Sequence, residues 1–290
     1  MIEQELQQQR SILWRTDGNA VRTLDDARTF LAGVGFCLMY PDRAISVMPT
    51  FLGACAGTSE NLPDAKHAFA DARTGPANEL VVRLMRERQL YQLNLTGDIT
   101  LLASARLFPF FYTLLGDRNP KATPATNGQG VRISPLAIKA YEIIAGHGSL
   151  SIPRLQELIG RELTTAALER ALHELWAILK IGPVDFHEKD GATWDLLYHW
   201  SPEAVKEGVR ASLPEAISAL LGQYLETVIA VDQDEMEQFF SKLSPLSKIR
   251  EAIHALLATR ELSYLPMGSK TLIQLTPAVN QELPRNTRKT

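Results

Sequence analysis

Apolar positions along the chain change from a helical spacing to a strand spacing at three places. In residues 78–103, an apolar stripe through Leu80 and Leu84 has helical spacing, and it gives way to the alternating segment LYQLNL. Thr96-Gly97-Asp98 then favours a turn into the apolar segment ITLL. This stretch therefore predicts a helix followed by a two-stranded hairpin.

The same change of spacing occurs in residues 164–200 and in residues 244–275. In the first of these, a leucine stripe from Leu168 to Leu179 predicts a helix, and Asp190-Gly191 favours a hairpin turn. In the second, Ser244-Pro245 favours a helix start, and LSYLPMGSKTLIQL predicts a hairpin. The chain thus contains three predicted helix-and-hairpin stretches.

Further helical sequence precedes each stretch, namely RTLDDARTFLAGVGF, SPLAIKAYEIIAGHGSLSIPRLQELIG and QDEMEQFFSKL. Helices followed by a two-stranded wing are the arrangement of a winged helix-turn-helix. The sequence predicts a mainly α protein with small β-hairpins, an α+β fold of tandem winged helix-turn-helix units. The predicted divisions are an N-terminal winged-helix-like unit at 1–120, a central winged-helix unit at 131–202, a helical connector at 203–234, a C-terminal winged-helix unit at 235–280 and a basic tail at 281–290.

Length and composition allow several small cores but exclude a generally basic protein. The 290 residues are 45% apolar and 22% charged, which is ordinary for a globular protein. The net charge is −3, so nucleic-acid binding requires a local basic patch. Residues 116–130, rich in Pro, Gly, Asn and Thr, predict a linker or an exposed loop.

Targeting signals and reactive cysteines are not predicted. The polar N-terminus does not resemble a signal peptide, and no apolar run reaches the length of a membrane span. Cys37 and Cys55 lie in apolar or small-residue runs typical of buried hydrophobes. We therefore expect a soluble cytoplasmic protein with no membrane partner. A homodimer or a protein partner stays possible on this sequence.

Charge is distributed unevenly along the second half of the chain. Residues 203–238 contain eight acidic residues and only two basic ones, Lys206 and Arg210. Residues 240–290 instead contain eight basic residues and three acidic ones. The basic segment is interpreted either as a phosphate-facing patch or as a solvated helix face with a tail.

Basic residues on the predicted helices and wings are the candidate contacts to double-stranded DNA. Arg83, Arg86 and Arg88 near the end of a helix also suit the negative end of its dipole, so a structural role competes. In the central unit Arg170 is accompanied by Glu169 and Glu174, which disfavours reading a polyanion. The full set of candidates is Arg83, Arg86, Arg88, Arg154, Arg170, Lys189, Lys248, Arg250 and Lys270.

The central hairpin FHEKDGATWDLLYHW carries aromatic and acidic side chains. Trp194, Tyr198 and Trp200 share one parity, which predicts that they line one face of the second strand. Such a face favours core packing over a base-stacking platform, although both have the same pattern. The acids are interpreted as turn-forming and solvent-facing residues.

Catalytic, cofactor and metal motifs are not evident. AGVGF and TNGQG lack the spacing and the Lys-Ser/Thr of a phosphate-binding loop. His187 and His199 are separated along the hairpin and have no accompanying ligand motif. We expect no cofactor and no metal, and we leave any catalytic residue unassigned.

Residues 14–41 (WRTDGNAVRTLDDARTFLAGVGFCLMYP) and 80–115 (LVVRLMRERQLYQLNLTGDITLLASARLFPFFYTLL) resemble the AlkZ-related winged-helix family. This family is related to the AlkZ and YcaQ DNA glycosylases. The resemblance implies tandem winged helices around DNA over most of the chain. It also implies a repair association, because those relatives excise alkylated or crosslinked bases.

The resemblance further implies a Gln-apolar-Gln/Asp motif as the glycosylase hallmark. QQQR at 7–10 lacks the apolar setting, and Gln92-Leu93-Asn94 lies in a predicted wing strand and ends in an amide. An amide cannot replace a carboxylate as a base. The leading hypothesis is a DNA-binding protein, regulatory or repair-associated, without catalysis. The alternatives are a DNA glycosylase acting on alkylated or crosslinked bases and a winged-helix protein-interaction scaffold.

Overall fold

Three units of the chain repeat one order of secondary structure in the computed structural model, which describes residues 3–277 except 97–98, 126 and 129–130. The first unit contains α2 (Leu24–Val34), β1 (Phe36–Leu38), α3 (Phe51–Ala56), α4 (Thr74–Arg86), β2 (Leu90–Thr96) and β3 (Ile99–Ser104). The second contains α6 (Pro135–His147), β6 (Leu150–Ser151), α7 (Ile152–Ile159), α8 (Thr165–Ala177), β7 (Ile181–His187) and β8 (Gly191–Leu196). The third contains α11 (Leu213–Val228), β9 (Ala230–Val231), α12 (Gln233–Phe240), α13 (Leu246–Ala258), β10 (Leu262–Met267) and β11 (Lys270–Leu275).

Each unit forms a three-stranded antiparallel sheet with the same strand order. The orders are β1-β3-β2, β6-β8-β7 and β9-β11-β10. In every unit the last strand lies in the middle, between the short strand that follows the first helix and the other hairpin strand. The fold is therefore α+β, as the sequence predicts. The turn residues Gly97 and Asp98 lie outside the described residues, as does the predicted basic tail.

The remaining elements join the units or pack on them. They are α1 (Glu3–Leu13), α5 (Phe108–Leu115), the short pair β4 (Asn127–Gly128) and β5 (Val131–Arg132), α9 (Leu197–Trp200) and α10 (Pro202–Arg210). Helix α1 packs on the third unit, where the buried Arg10 side chain donates to the main-chain oxygens of Val228 (2.9 Å) and Ala230 (2.5 Å). Helix α1 is thus anchored to the third unit. None of the helices in the described ranges is long and apolar enough to span a membrane.

The structure differs from the predicted connector at 203–234. This segment contains α10 and α11, and α11 is the first helix of the third unit. Its buried residue Tyr224 packs against the rings of Phe239 and Phe240, while Glu226 on the same helix is exposed. The acidic residues of this segment lie outside the apolar stripe, so their number says little about the burial of the helix.

The predicted start of helix α13 is also different. The helix begins at Leu246, with Pro245 in the cap position and no side-chain cap. The Ser244 hydroxyl is buried and has no hydrogen-bond partner among the described atoms. Pro245 is therefore one position earlier than expected.

Main-chain carbonyls of the first unit accept hydrogen bonds from the third unit. The Thr227 hydroxyl donates to Val34 (2.7 Å), and the Tyr224 hydroxyl donates to Val47 (3.0 Å). Phe36 of β1 stacks on the Tyr224 ring with 6.5 Å between centroids. These buried polar and aromatic contacts fix the orientation of the two units.

The first and second units pack through the hairpin of each against the third helix of the other. Helix α4 contacts β7, and helix α8 contacts β2. The Trp176 indole N–H on α8 donates to the main-chain oxygen of Gln92 on β2 (3.0 Å). Arg86 on α4 forms an ion pair with Asp185 on β7, with 2.8 Å from Nε to Oδ1. One face of each third helix is therefore covered.

The prediction that Trp194, Tyr198 and Trp200 line one face of a strand is wrong beyond Leu196. Strand β8 ends at that residue, and the chain turns into the short helix α9. The strand parity consequently does not extend to Tyr198 and Trp200. Trp194 is buried and packs edge-on against Trp176 of α8, at 5.4 Å between centroids, which agrees with core packing.

A buried lysine organises the first part of the segment predicted as a linker. The Lys180 ammonium donates to the main-chain oxygens of Asn119 (2.6 Å) and Ala122 (2.6 Å) and pairs with Asp117 (2.9 Å). It also lies 5.7 Å from the centroid of the Tyr141 ring. The chain from Asp117 to Ala122 is therefore wrapped around a cation and does not behave as a free loop.

Two helical glycines give a matched test of packing. A Cβ at Gly208 on α10 would lie 2.7 Å from both the main-chain oxygen of Pro109 and the Cβ of Tyr112, whereas a Cβ at Gly222 on α11 would meet nothing within 4 Å. We expect Gly208→Ala to lower the free energy of unfolding by about 2 kcal/mol, because helix α5 must move. Gly222→Ala should raise it by about 0.5–1 kcal/mol. Urea unfolding measures both, and equal effects of the two substitutions would contradict the close contact.

Candidate nucleic-acid interface

The nine predicted DNA contacts are all exposed, but four of them form ion pairs within the protein. These pairs are Arg86 with Asp185, Arg154 with Glu157, Lys248 with Glu251 and Arg250 with Glu237. The other candidates have no ion-pair partner among the described residues, namely Arg83, Arg88, Arg170, Lys189 and Lys270. They lie in three different units, and the structure does not bring all nine into one cluster.

Arg250 has a structural role in the third unit. Its Nε donates to Oε2 of Glu237 at 2.8 Å, and Glu237 is buried in α12. Burial alone raises the pKa of Glu237, but hydrogen bonds from Gln233 and Arg250 outweigh that effect and lower the pKa below its usual value. Arg250 therefore compensates a buried charge, which reduces its availability to a phosphate.

A hollow of about 890 Å³ lies between the start of α2, the end of α3 and one face of α4. We call it the α2–α4 hollow. Its lining residues are Val21, Arg22, Thr23, Leu24, Asp25, Arg28, Cys55, Ala56, Ala72, Arg73, Pro76, Glu79, Leu80 and Arg83. It thus combines an apolar wall with four arginines.

Two of the four arginines are held by acidic side chains. Arg28 bonds to Asp25 and, at 2.6 Å, to Glu87, while Arg73 bonds to Asp71 at 2.6 and 2.9 Å. Arg22 and Arg83 are exposed and have no ion-pair partner in the described part of the chain. They are the cations of the hollow that an external anion can reach.

Local structure explains why Arg22 and Arg83 border the same space. Thr23 caps α2 in a capping box with Asp26, so Arg22 lies directly before a fixed helix start. Arg83 lies one helical turn after Glu79 on α4. Because α4 turns by about 100° per residue, Arg83 lies on the side opposite to Asn78, Val81 and Val82, which line the space beside β7.

The acidic residues at the hollow limit its charge. Asp25 bonds to Arg28, but Glu79 has no ion-pair partner among the described residues and faces the same space as Arg83. The hollow is therefore suited to a few phosphate contacts, not to strong attraction of a polyanion.

Sequence reasoning identified only Arg83 of these four arginines. Arg22, Arg28 and Arg73 are separated from it by up to about sixty positions, and no local motif connects them. The one available signal was the capping sequence RTLDD, which places Arg22 at a helix start. The cluster depends on how α2, α3 and α4 pack.

Neither sequence considered for the glycosylase motif forms a site. The Gln92 main-chain oxygen accepts a bond from Trp176, and the Asn94 side-chain oxygen is buried without a partner among the described atoms. Gln7, Gln8 and Gln9 are exposed on α1. None of these residues lines the α2–α4 hollow.

The cysteines and the potential metal ligands of the described ranges do not form a reactive site. Both cysteines are free thiols, and burial raises the pKa of Cys55 to about 12. Cys55 therefore stays protonated at neutral pH, although it lines the hollow. Within these ranges no group of three or more His, Cys, Asp or Glu side chains is arranged to hold a metal ion.

Comparison with known proteins gives a likeness of fold. No protein-family model matches the chain. No curated protein sequence matches it. Among solved structures, the chain is similar to the Streptomyces sahachiroi DNA glycosylase AlkZ, with a TM-score of 0.53 and 15% sequence identity. The match covers 92% of this chain and 69% of that one, so the chain has an AlkZ-like fold.

Proposed function

We propose that this chain is a DNA-binding protein built from three tandem winged-helix units, regulatory or repair-associated and without catalysis of its own. The observation that carries the proposal is the threefold repeat of helix, strand, helix, helix and hairpin within a fold shared with a DNA glycosylase over 92% of the chain. In this assignment the hairpins β2–β3, β7–β8 and β10–β11 are the wings. Helices α4, α8 and α13 are the third helices, which in many such modules approach DNA.

The contact between the first two units limits how these helices meet DNA. Strand β7 covers one face of α4, and Arg86 is used in the pair with Asp185. The other face of α4 borders the α2–α4 hollow and carries Arg83. We therefore place the phosphate contacts of the first unit at Arg22 and Arg83. Arg88, Arg170, Lys189 and Lys270 remain further candidates on the exposed surface.

A random-sequence duplex tests the proposal, because phosphate contacts supply most non-specific affinity. The protein should bind such a duplex at about 50 mM salt and release it as salt rises. Absence of binding at low salt would remove this function and favour the protein-interaction scaffold, whose partner surface need not be basic.

The fold likeness also favours a second candidate, a DNA glycosylase acting on alkylated or crosslinked bases. Against it stand the positions of Gln92 and Asn94, which lie in strand β2, where the side-chain oxygen of Asn94 is buried. Incubation with an alkylated duplex, followed by alkaline cleavage at abasic sites, separates the two. We expect binding without abasic sites, and lesion-dependent abasic sites would establish the glycosylase instead.

A further inference from the structure

The connection between α3 and α4 is unusually long for its place in the repeat. It spans residues 57–73, whereas the matching connections in the second and third units span residues 160–164 and 241–245. The extra length adds little to the core. Ala68 is buried, but most other side chains of the connection are exposed or half-buried. Long connections that do not build a core are commonly functional.

This long connection exposes one aromatic ring completely. Phe69 lies on a 3-10 turn at Ala68–Ala70, and its exposure is 101% of the reference value. Single exposed apolar side chains are common on proteins. A fully exposed phenylalanine within an added segment contributes almost nothing to the stability of the fold. Its presence there therefore points to a role in binding.

The turn that carries Phe69 is fixed on both sides. Before it, the His67 main-chain N–H and ring Nδ1 contact Asp64 at 3.0 and 2.6 Å. After it, Arg73 bonds to Asp71 and donates to the main-chain oxygen of Asn61 at 2.6 Å. The Arg73 guanidinium lowers the pKa of Asp71 to about 2, so this clamp is charged at neutral pH. Because the backbone of the turn is fixed, only the side-chain rotamer of Phe69 has to be ordered on binding.

The fixed turn leads within three residues into the lining of the α2–α4 hollow. Ala72 and Arg73 follow Phe69 by three and four positions and line the α2–α4 hollow together with Arg22 and Arg83. The connection itself has three acids, Glu60, Asp64 and Asp71, against Lys66 and Arg73. Phosphate attraction therefore comes from the hollow, while the turn contributes an uncharged ring.

We propose that Phe69 stacks on a DNA base, next to phosphates held by Arg22 and Arg83. This proposal rests on the proposed DNA-binding function. A base suits the ring better than a protein partner, because a protein hot spot lies in a larger apolar patch. The other large apolar side chains exposed in the described chain, Ile12, Phe186, Leu246 and Tyr264, lie outside the first unit. A single ring beside phosphate-binding cations is the arrangement of a stacking site.

The test uses the full chain and a duplex carrying 2-aminopurine at a central mismatch, where a base is easily unstacked. Binding of the wild type should change the 2-aminopurine emission. Phe69→Ala should abolish this change and weaken binding about tenfold, while the dependence of affinity on salt stays the same. Phe69→Trp should keep the emission change. Phe186→Ala, a matched control on an exposed ring of the second unit, should behave as the wild type.

The outcomes separate this inference from the function on which it rests. If the wild type binds the duplex but Phe69→Ala binds equally well with the same emission change, stacking by Phe69 is wrong and DNA binding stands. If the wild type does not bind any duplex at low salt, both proposals fail. Circular dichroism of Phe69→Ala should match the wild type, since the ring makes no core contact.

Discussion

Replacing Lys180 with methionine is expected to lower the free energy of unfolding by about 3 kcal/mol. Lys180 is buried, and its ammonium satisfies three main-chain oxygens, those of Asn119, Pro120 and Ala122, besides pairing with Asp117. Methionine fills a similar volume but donates no hydrogen bond. The loss removes the donor of these three half-buried hydrogen bonds and leaves Asp117 without its cation.

The environment of Lys180 supports a large effect. Burial lowers the pKa of Lys180, and the bond to Asp117 opposes this shift without cancelling it. The charge is thus partly desolvated, and its compensation comes from the chain at Asp117–Ala122. In Lys180→Met we expect this segment to detach from the end of α8 and from β7.

Urea unfolding monitored by tryptophan fluorescence measures the effect. Asp117→Asn removes the charge partner but leaves the three carbonyl contacts, so it should cost less, about 1 kcal/mol. Lys189→Met on the exposed hairpin turn is the matched control and should stay within about 0.5 kcal/mol of the wild type. A Lys180→Met variant as stable as Lys189→Met would show that the ammonium does not organise the segment.

The double variant Arg22→Gln/Arg83→Gln is expected to weaken duplex binding by about 10- to 100-fold at low salt. Both residues border the α2–α4 hollow without an ion-pair partner among the described residues, so their loss removes the proposed phosphate contacts and breaks no ion pair within those residues. Glutamine keeps most of the side-chain length. The unfolding free energy should therefore change by less than about 0.5 kcal/mol.

Arg210→Gln is the matched control for this variant. Arg210 is exposed and borders a surface with Glu203, Glu207, Glu215 and Lys206, in which acidic residues outnumber basic ones. Its replacement should leave the affinity for a duplex unchanged. If Arg210→Gln weakens binding as much as the double variant, the contacts are not localised at the hollow.

The local elements of the fold were predictable because their signals are local. The leucine stripe of α8 and the Asp190-Gly191 turn each act over a few residues. The packing of α11 in the third unit was not predictable from the helical connector at 203–234, because an amphipathic pattern indicates a half-buried helix but not the unit on which it packs. The break of β8 after Leu196 was also missed, since strand parity carries no information about where a strand ends.

The α2–α4 hollow and the contacts of Lys180 were much less predictable, because both depend on residues far apart in the sequence. Lys180 sits in the apolar run AILKIGPV, and nothing in that run indicates that distant carbonyls surround its ammonium. Arg22 and Arg83 meet only because α2 and α4 pack together. The extra length of the connection that carries Phe69 follows from comparing the three units element by element. That comparison requires the ends of α3, α7 and α12, which the sequence pattern does not fix.

The salt dependence of duplex affinity shows whether the first unit contacts phosphates. The dissociation constant for a random-sequence duplex is measured from about 50 to about 200 mM salt for the wild type, Arg22→Gln/Arg83→Gln and Arg210→Gln. We predict that log affinity falls linearly with log salt, and that the double variant has a slope smaller in magnitude by about 2. Arg210→Gln should keep the wild-type slope. A wild type that does not bind at about 50 mM salt, or three equal slopes, would contradict DNA binding through the first unit.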